Sequence, residues 1–389
     1  MSREKIRVGI IGAGRIADFV HVPSLRVCPA ECDVLAVASR TEEKAKAFAN
    51  RWGIPRVYPD YESLLADPDV DAVVICPPSD LTYPIAKAAI AAGKHILCEK
   101  PLGLNFSEAR DLQVSAEHSD KIHMVAFTFR FVPALRFLKR LVTEGHFGEI
   151  RQWRLSCFTD LMLDPTRPAA WRNQRVHAGT GILADIGSHC IDFARYLLGD
   201  VSAVSGVGRA YVRERPHPSG CGTVPVDAED GFAFLLEFAN GAIGSFDINR
   251  AVAGRGGTGR MAYQSIEVHG TGGAAIYELI HPFELQISLG PAMTRTQQWA
   301  RAGVPYDLMR FPGSPRNPRT DDPLVGYKLD QGVAFLKAIQ GETQDYPTFR
   351  DGAETQRVID VVDRATRERR WVDLRVEEGT INELRRDVH

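Results

Sequence analysis

The segment AGTGILADIGSHCIDFARYLLG sets Asp185, His189 and Asp192 at spacing i, i+4, i+7. Read as a helix, that spacing puts the three on one face, while Ile186, Phe193, Ala194 and Leu197 supply an apolar side. An imidazole with carboxylates a turn away can be oriented and tuned to exchange a proton near neutral pH. The bland alternative is a helix that opens on an aspartate and carries an incidental histidine. No third ligand of metal type stands with the pair, so acid–base work is preferred and no metal is expected. Gly179 and Gly181, just ahead, would let the backbone bend close to a ligand. A second chemically loaded stretch is LCEKPLG, where Glu99 and Lys100 end an apolar run before Pro101.

The third stretch is VGIIGAGRIA. A strand runs directly into Gly12-Ala13-Gly14-Arg15-Ile16-Ala17, and a helix begins there. Gly12 permits the tight turn, Gly14 lets the backbone approach a pyrophosphate, and small Ala17 lets helix pack close to strand. The helix N-terminus offers free N–H groups and partial positive charge to phosphates. As the first turn of a strand–helix–strand unit this reads as a dinucleotide site; a plain glycine turn is the other reading. Where an Asp or Glu would hold the ribose 2′-hydroxyl of NAD, the second strand ends in Ser39 and Arg40. No carboxylate there repels a 2′-phosphate and an arginine is at hand to pair with one, so NADP(H) is preferred, with NAD(H) possible. Arg40 pointing to solvent, or stacking on adenine, stays open.

These groups need elements to hold them. Residues 1–128 alternate strands (KIRVGII, DVLAVAS, VDAVVIC, KHILC, KIHMVAF, and a short one near RVY) with helices (IADFVHVPSL, TEEKAKAFANRW, YPIAKAAIAAG, SEARDLQVSAEHS). That rhythm predicts βαβ units and a parallel sheet. Residues 129–389 bring two helices around the strand RQWRLSCF, then consecutive strands (VSAVSGVGRAYV, GFAFLLEF, AIGSFDIN, SIEVHG, AAIYEL, ELQISL) that predict a largely antiparallel sheet. The stretch 290–325, rich in Pro, Gly and Arg, has no clear period and reads as a long excursion loop. Two more helices and a short WVDL strand follow. The fold class is therefore an α/β domain, its first turn reading as a dinucleotide site, followed by an α+β domain over 129–389.

The bulk composition excludes other classes. With 389 residues, 25% of them charged and a net charge of −2, the chain lacks the basic excess of a nucleic-acid binder. No apolar run reaches the ~18–20 residues of a membrane span. The N-terminus reads as a strand rather than a signal peptide. Seven scattered cysteines, among them a C-x3-C of Cys28 and Cys32, read as reduced thiols and point to the cytoplasm.

Together, GAGRIA, CEKP and AGTGILADIGSHCID resemble the Gfo/Idh/MocA family (glucose–fructose oxidoreductases and inositol dehydrogenases) along essentially the whole chain. The resemblance implies a Rossmann domain, then an open, mainly antiparallel sheet whose exposed face builds homodimers or homotetramers. It implies hydride transfer between a nicotinamide and a secondary alcohol or ketone of a sugar, inositol or related polyol. By the same resemblance Lys100 is the lysine of the EKP motif, Asp185 the helix aspartate and His189 the catalytic histidine. The cofactor would meet Gly12, Gly14, Arg15, Ile16, Ser39, Arg40, Cys76, Pro77, Ser79, Glu99 and Lys100. Arg130, Trp171, Arg172 and Asn173 stand where members often contact substrate, with a packing role for Trp171 and a surface role for Arg172 as alternatives. Two departures leave the substrate open. The run Cys76-Pro77-Pro78-Ser79-Asp80-Leu81-Thr82 lacks the family's frequent histidine, and the usual glycine triplet is reduced to Ala178-Gly179-Thr180-Gly181. Glycoside cleavage by transient oxidation with retained cofactor, or dinucleotide sensing without turnover, are the competing functions.

Overall fold

The computed structural model describes residues 4–254, 263–290, 298–322 and 324–374. The chain forms two compact units: Met1–Pro133 with Pro305–Glu354, and Ala134–Val304 with Thr355–His389. The sequence division at 128/129 is a different partition. The first unit runs on through Pro133 and takes back Pro305–Glu354, because the later segment carries apolar and paired polar side chains that bury there, Phe349 and Ala353 among them.

In the first unit, β1 (Ile6–Ile11), β2 (Cys32–Ala38), β3 (Arg56–Tyr58), β4 (Ala72–Ile75), β5 (His95–Cys98) and β6 (His123–Val125) form one sheet in the order β3-β2-β1-β4-β5-β6. Every pairing is parallel. Strands of this kind are covered on both faces, which is why β4 reads Ala-Val-Val-Ile and is wholly buried. The order reverses between β1 and β4, the place where such sheets take ligands at the carboxyl ends of their strands.

The second unit holds a nine-stranded sheet and a small hairpin. Its strands in chain order are β7 (Ile150–Phe158), β8 (Val201–Arg209), β9 (Glu214–Pro216), β10 (Thr223–Pro225), β11 (Gly231–Phe238), β12 (Ile243–Asn249), β13 (Tyr263–Gly270), β14 (Gly273–Glu278), β15 (Glu284–Leu289), β16 (Ala300–Gly303) and β17 (Val372–Asp373). The large sheet runs β16-β15-β14-β13-β7-β12-β11-β8-β17, with β9 and β10 forming the hairpin. The pairing of β12 with β7 is parallel and the other pairings of this sheet are antiparallel. Alternation along β11 buries Phe232, Phe234, Leu236 and Phe238 on one face. There Trp153 of β7 meets Phe193 at 6.1 Å between ring centroids, which seats the helix Ser188–Leu198 on the sheet.

The stretch 290–325 is not the free excursion its composition suggests. Its residues 291–297 and 323 lie outside the described ones, and Ala300–Gly303 extends the sheet as β16. Further on, Arg316 is buried in the first unit, its Nε 3.0 Å from Oδ1 of buried Asp330. A guanidinium neutralised by a carboxylate anchors what the Pro/Gly/Arg content alone reads as loop.

Candidate active site

At the carboxyl edge of the parallel sheet, Gly12 follows β1 with φ +108, a conformation that L side chains avoid. A Cβ there would stand 2.8 Å from the carbonyl oxygen of Cys76, so only glycine lets the loop pass β4. The amide of Gly12 donates to the Ala38 carbonyl at 2.9 Å, which brings the loop beside Ser39 and exposed Arg40 at the end of β2. At Gly14 a Cβ would meet nothing within 4 Å. That exposed backbone, with Arg15 and Ile16 exposed after it, fits a pyrophosphate approaching the loop. Ala17 is fully buried, as close helix–strand contact requires. The expected single helix over IADFVHVPSL is instead a π turn, Ala17–His21, continued by a short α-helix, Val22–Arg26.

Cys76 closes the loop from the β4 side. Its thiol donates toward the carbonyls of Gly12 (3.2 Å) and Ile11 (3.4 Å), and burial pushes it well above the usual thiol range. The side chain therefore braces the turn. Pro77 and buried Ser79 lie in the segment that follows β4.

Glu99 and Lys100 leave the end of β5, and the Lys100–Pro101 bond is cis. The opening of the EKP motif is tied down by a residue that motif reasoning did not single out. His21, fully buried, has Nε2 2.8 Å from Oε1 of Glu99. Since a carboxylate only accepts, Nε2 carries the proton in that bond. A histidine inside the apolar run FVHVPSL was the available signal.

Arg130 is engaged within the first unit. Its side chain is 9% exposed and its guanidinium lies 2.9 Å from Asp351. Burial alone would raise the Asp351 carboxyl; Arg130 and the Thr348 amide hold it below the ordinary value. Arg130 thus anchors the start of the helix Phe349–Glu368, a structural task that a substrate role would have to share.

In the second unit, Gly179 and Gly181 take φ +62 and +57, which only glycine holds without strain. The backbone then winds as a π turn, Leu183–Gly187, before the α-helix Ser188–Leu198. The wider turn breaks the strict helical phase assumed from the spacing. Asp185 and His189 stay partly exposed, whereas Asp192 is fully buried, as is the neighbouring Phe193. Nε of Arg172 lies 3.4 Å from Oδ2 of Asp185, and the guanidinium stacks 4.2 Å over the ring of Trp171. Arg172, its side chain 44% exposed, is thus a surface residue that is also paired with Asp185 and stacked on Trp171. Its carbonyl accepts from Nη1 of Arg250 at 3.1 Å, and Arg250 is itself held by buried Asp230. Among the described residues, no group of three His, Cys, Asp or Glu is placed to hold a metal ion.

Comparison with known proteins agrees with this geometry. The oxidoreductase family model with an NAD-binding Rossmann fold matches residues 6–127, and the GFO/IDH/MocA C-terminal domain model matches residues 135–276. Levoglucosan dehydrogenase of Pseudarthrobacter phenanthrenivorans is 33% identical over 402 residues, covering 95% of this chain and 98% of the relative. The chain belongs to the Gfo/Idh/MocA family. Another member of the family, 1,5-anhydro-D-fructose reductase of Ensifer adhaerens, is 32% identical over 69% of this chain and 75% of its own. The structure of levoglucosan dehydrogenase in complex with NADH and levoglucosan superposes with a TM-score of 0.86 at 31% identity, covering 95% of this chain and 100% of the other. As a Gfo/Idh/MocA protein, this chain is an NAD(P)-dependent oxidoreductase with a Rossmann unit that binds NAD(H).

Proposed function

We propose that the protein oxidises a secondary alcohol of a cyclic sugar, anhydrosugar or polyol, or reduces the corresponding ketone. The observation that carries this reading is the partly exposed pair Asp185 and His189, with Arg172 3.4 Å from Asp185, in a chain whose first unit carries the open glycine loop. The full-length likeness to levoglucosan dehydrogenase supports the substrate class.

When bound, the nicotinamide supplies the hydride acceptor or donor. The chain's own residues do the rest. His189 takes the hydroxyl proton on oxidation and returns it on reduction. Lys100 donates a hydrogen bond to the reacting oxygen and counters the negative charge developing there. Asp185, steadied by Arg172, accepts from a neighbouring substrate hydroxyl or orients the imidazole. Trp171, stacked under Arg172, gives an apolar surface of the kind a sugar ring packs against. On the cofactor side, Ser39 and exposed Arg40 favour NADP(H), as a preference over NAD(H) rather than exclusivity.

We extend the reading to assembly. On the outer face of the large sheet, Val207, Leu235 and Ile243 are 48%, 41% and 46% exposed on adjoining strands. Polar Arg154, Glu237 and Asp247 interleave with them, so this face is more mixed than the strand sequences suggest. Such a surface suits a homodimer or homotetramer. The cysteines form no disulfide, in keeping with a cytoplasmic setting.

The test is a panel of cyclic sugars, anhydrosugars and polyols with both cofactors, read by the near-ultraviolet absorbance of reduced nicotinamide. Net cofactor reduction with a panel member supports the proposal. Turnover of a glycoside without net reduction would reassign the protein to transient oxidation, and cofactor binding without any turnover would make it a sensor.

A further inference from the structure

The helix Gly326–Ile339 belongs to the first unit and packs against the π turn and short helix that follow the glycine loop. At Gly332 the approach is so close that a Cβ would collide with Ser24. In the first turn of this helix stands Lys328, half-buried, its ammonium 6.0 Å from the ring centre of Tyr327. Among the described residues the Lys328 ammonium makes no hydrogen bond or ion pair, although Arg15, Glu99 and Asp322 are all near enough to act on its charge.

The other charged groups on the elements around it are already engaged. Asp18 holds Arg51 and the indole of Trp52, Arg26 bonds the Trp52 carbonyl, and His21 holds Glu99. Arg130 is paired with Asp351, and Asp330 with Arg316. What remains is two cations near enough to act on one another, Lys328 and Arg15, the latter following the open glycine with its guanidinium 5.7 Å from the Phe19 ring centre, while Asp322 accepts from the Leu324 amide. Like charges repel, and an anion lying between them relieves both the repulsion and the lost hydration of the lysine.

We propose that Lys328 is a dinucleotide-binding residue whose ammonium pairs with the cofactor pyrophosphate opposite Arg15. The inference rests on the dinucleotide reading of the glycine loop and adds a contact from a segment far along the chain. Burial first, then Arg15, lowers the Lys328 pKa, while Glu99 and Asp322 raise it. An arriving pyrophosphate raises it further, so binding takes up protons in the alkaline range below the ordinary lysine value.

The experiment compares the unmodified protein with Lys328→Met and Lys328→Arg by calorimetric titration with NADH and with ADP-ribose, which carries the pyrophosphate but no nicotinamide. Thermal denaturation of each variant confirms folding. The methionine variant should bind both ligands about tenfold or more weakly, as loss of a charged hydrogen bond implies. The arginine variant should recover most of the affinity. Titrations in alkaline buffers of different ionisation heats should register proton uptake in the unmodified protein and less in the methionine variant. Binding by Lys328→Met within about twofold of the unmodified protein overturns the proposal while leaving the dinucleotide reading intact. Weakening confined to NADH places the lysine at the nicotinamide end and overturns the pyrophosphate assignment. If the unmodified protein binds neither ligand, the dinucleotide reading falls and takes this one with it.

Discussion

Nε2 of His21 lies 2.8 Å from Oε1 of Glu99, with the imidazole fully buried and the carboxylate side chain 13% exposed. The bond joins the π turn after β1 to the end of β5, so the glycine loop and the residue preceding Lys100 are held as one piece. Removing the donor leaves a largely buried carboxylate short of a partner, a loss of about 1–3 kcal/mol. His21→Phe should therefore lower the thermal midpoint, and in combination with Glu99→Gln the two losses should fall short of additive. Strict additivity would mean the bond contributes nothing.

Arg250 and Asp230 form a pair 2.9 Å apart with 3% and 0% side-chain exposure, and Arg250 also holds the Arg172 carbonyl. Breaking a buried pair by removing one partner costs about 3–5 kcal/mol. Arg250→Leu should show that loss in urea denaturation. Any active enzyme that folds should have a raised KM for substrate, because the turn carrying Trp171 and Arg172 loses its support. A loss under about 1 kcal/mol with unchanged KM would contradict the positioning role.

Acid sensitivity has an identifiable source in the first unit. Burial pushes His123 down from 6.5 to about 4, and its ring packs 5.4 Å from that of Phe349. The unfolded chain takes up a proton as pH falls through 6.5, whereas the folded one resists until about 4. Stability is therefore lost as pH drops through that window, by up to about 3 kcal/mol from this group. His123→Leu should flatten the acid limb of the stability curve between these values, measured by denaturant midpoints. An unchanged limb would show that other groups govern it.

The proposed preference for NADP(H) rests on the end of β2. Ser39 and Arg40 stand where a carboxylate would exclude a 2′-phosphate, and one exposed arginine–phosphate pair contributes about 1 kcal/mol or less. Ser39→Asp combined with Arg40→Ala should shift kcat/KM toward NAD. An unmodified enzyme that already prefers NAD by about tenfold contradicts this reading of the two residues, though not the dehydrogenase assignment.

Much of this was legible in the sequence because period and position carry it. Fully apolar runs such as AVVI reveal parallel strands, and GAGRIA announces the turn that Gly12 makes. Less legible was whatever depends on winding or on distant contacts. Nothing in LADIG announces a π turn, so the step from Asp185 to His189 reads as a regular helical turn where the backbone is in fact wider, and the spacing gives no sign that Asp192 is buried while the other two are partly exposed. Arg130 reads only as a position of substrate contact by resemblance; its pairing with Asp351 depends on a segment that returns from far along the chain. Lys328 carries no motif at all; it matters only because the helix Gly326–Ile339 packs beside the glycine loop. The edge strand β16 is four residues long, too short to impose a period on a stretch rich in Pro, Gly and Arg.

The central claim is that Lys100 and His189 carry the chemistry at the reacting oxygen while the glycine loop and its neighbours supply most of the dinucleotide's binding. Measuring kcat and the dinucleotide Kd together for Lys100→Ala and His189→Ala tests it most directly. The account predicts that each variant loses kcat by about 10²-fold or more, with Kd within about threefold of the unmodified enzyme. Near-normal kcat in either variant would contradict it.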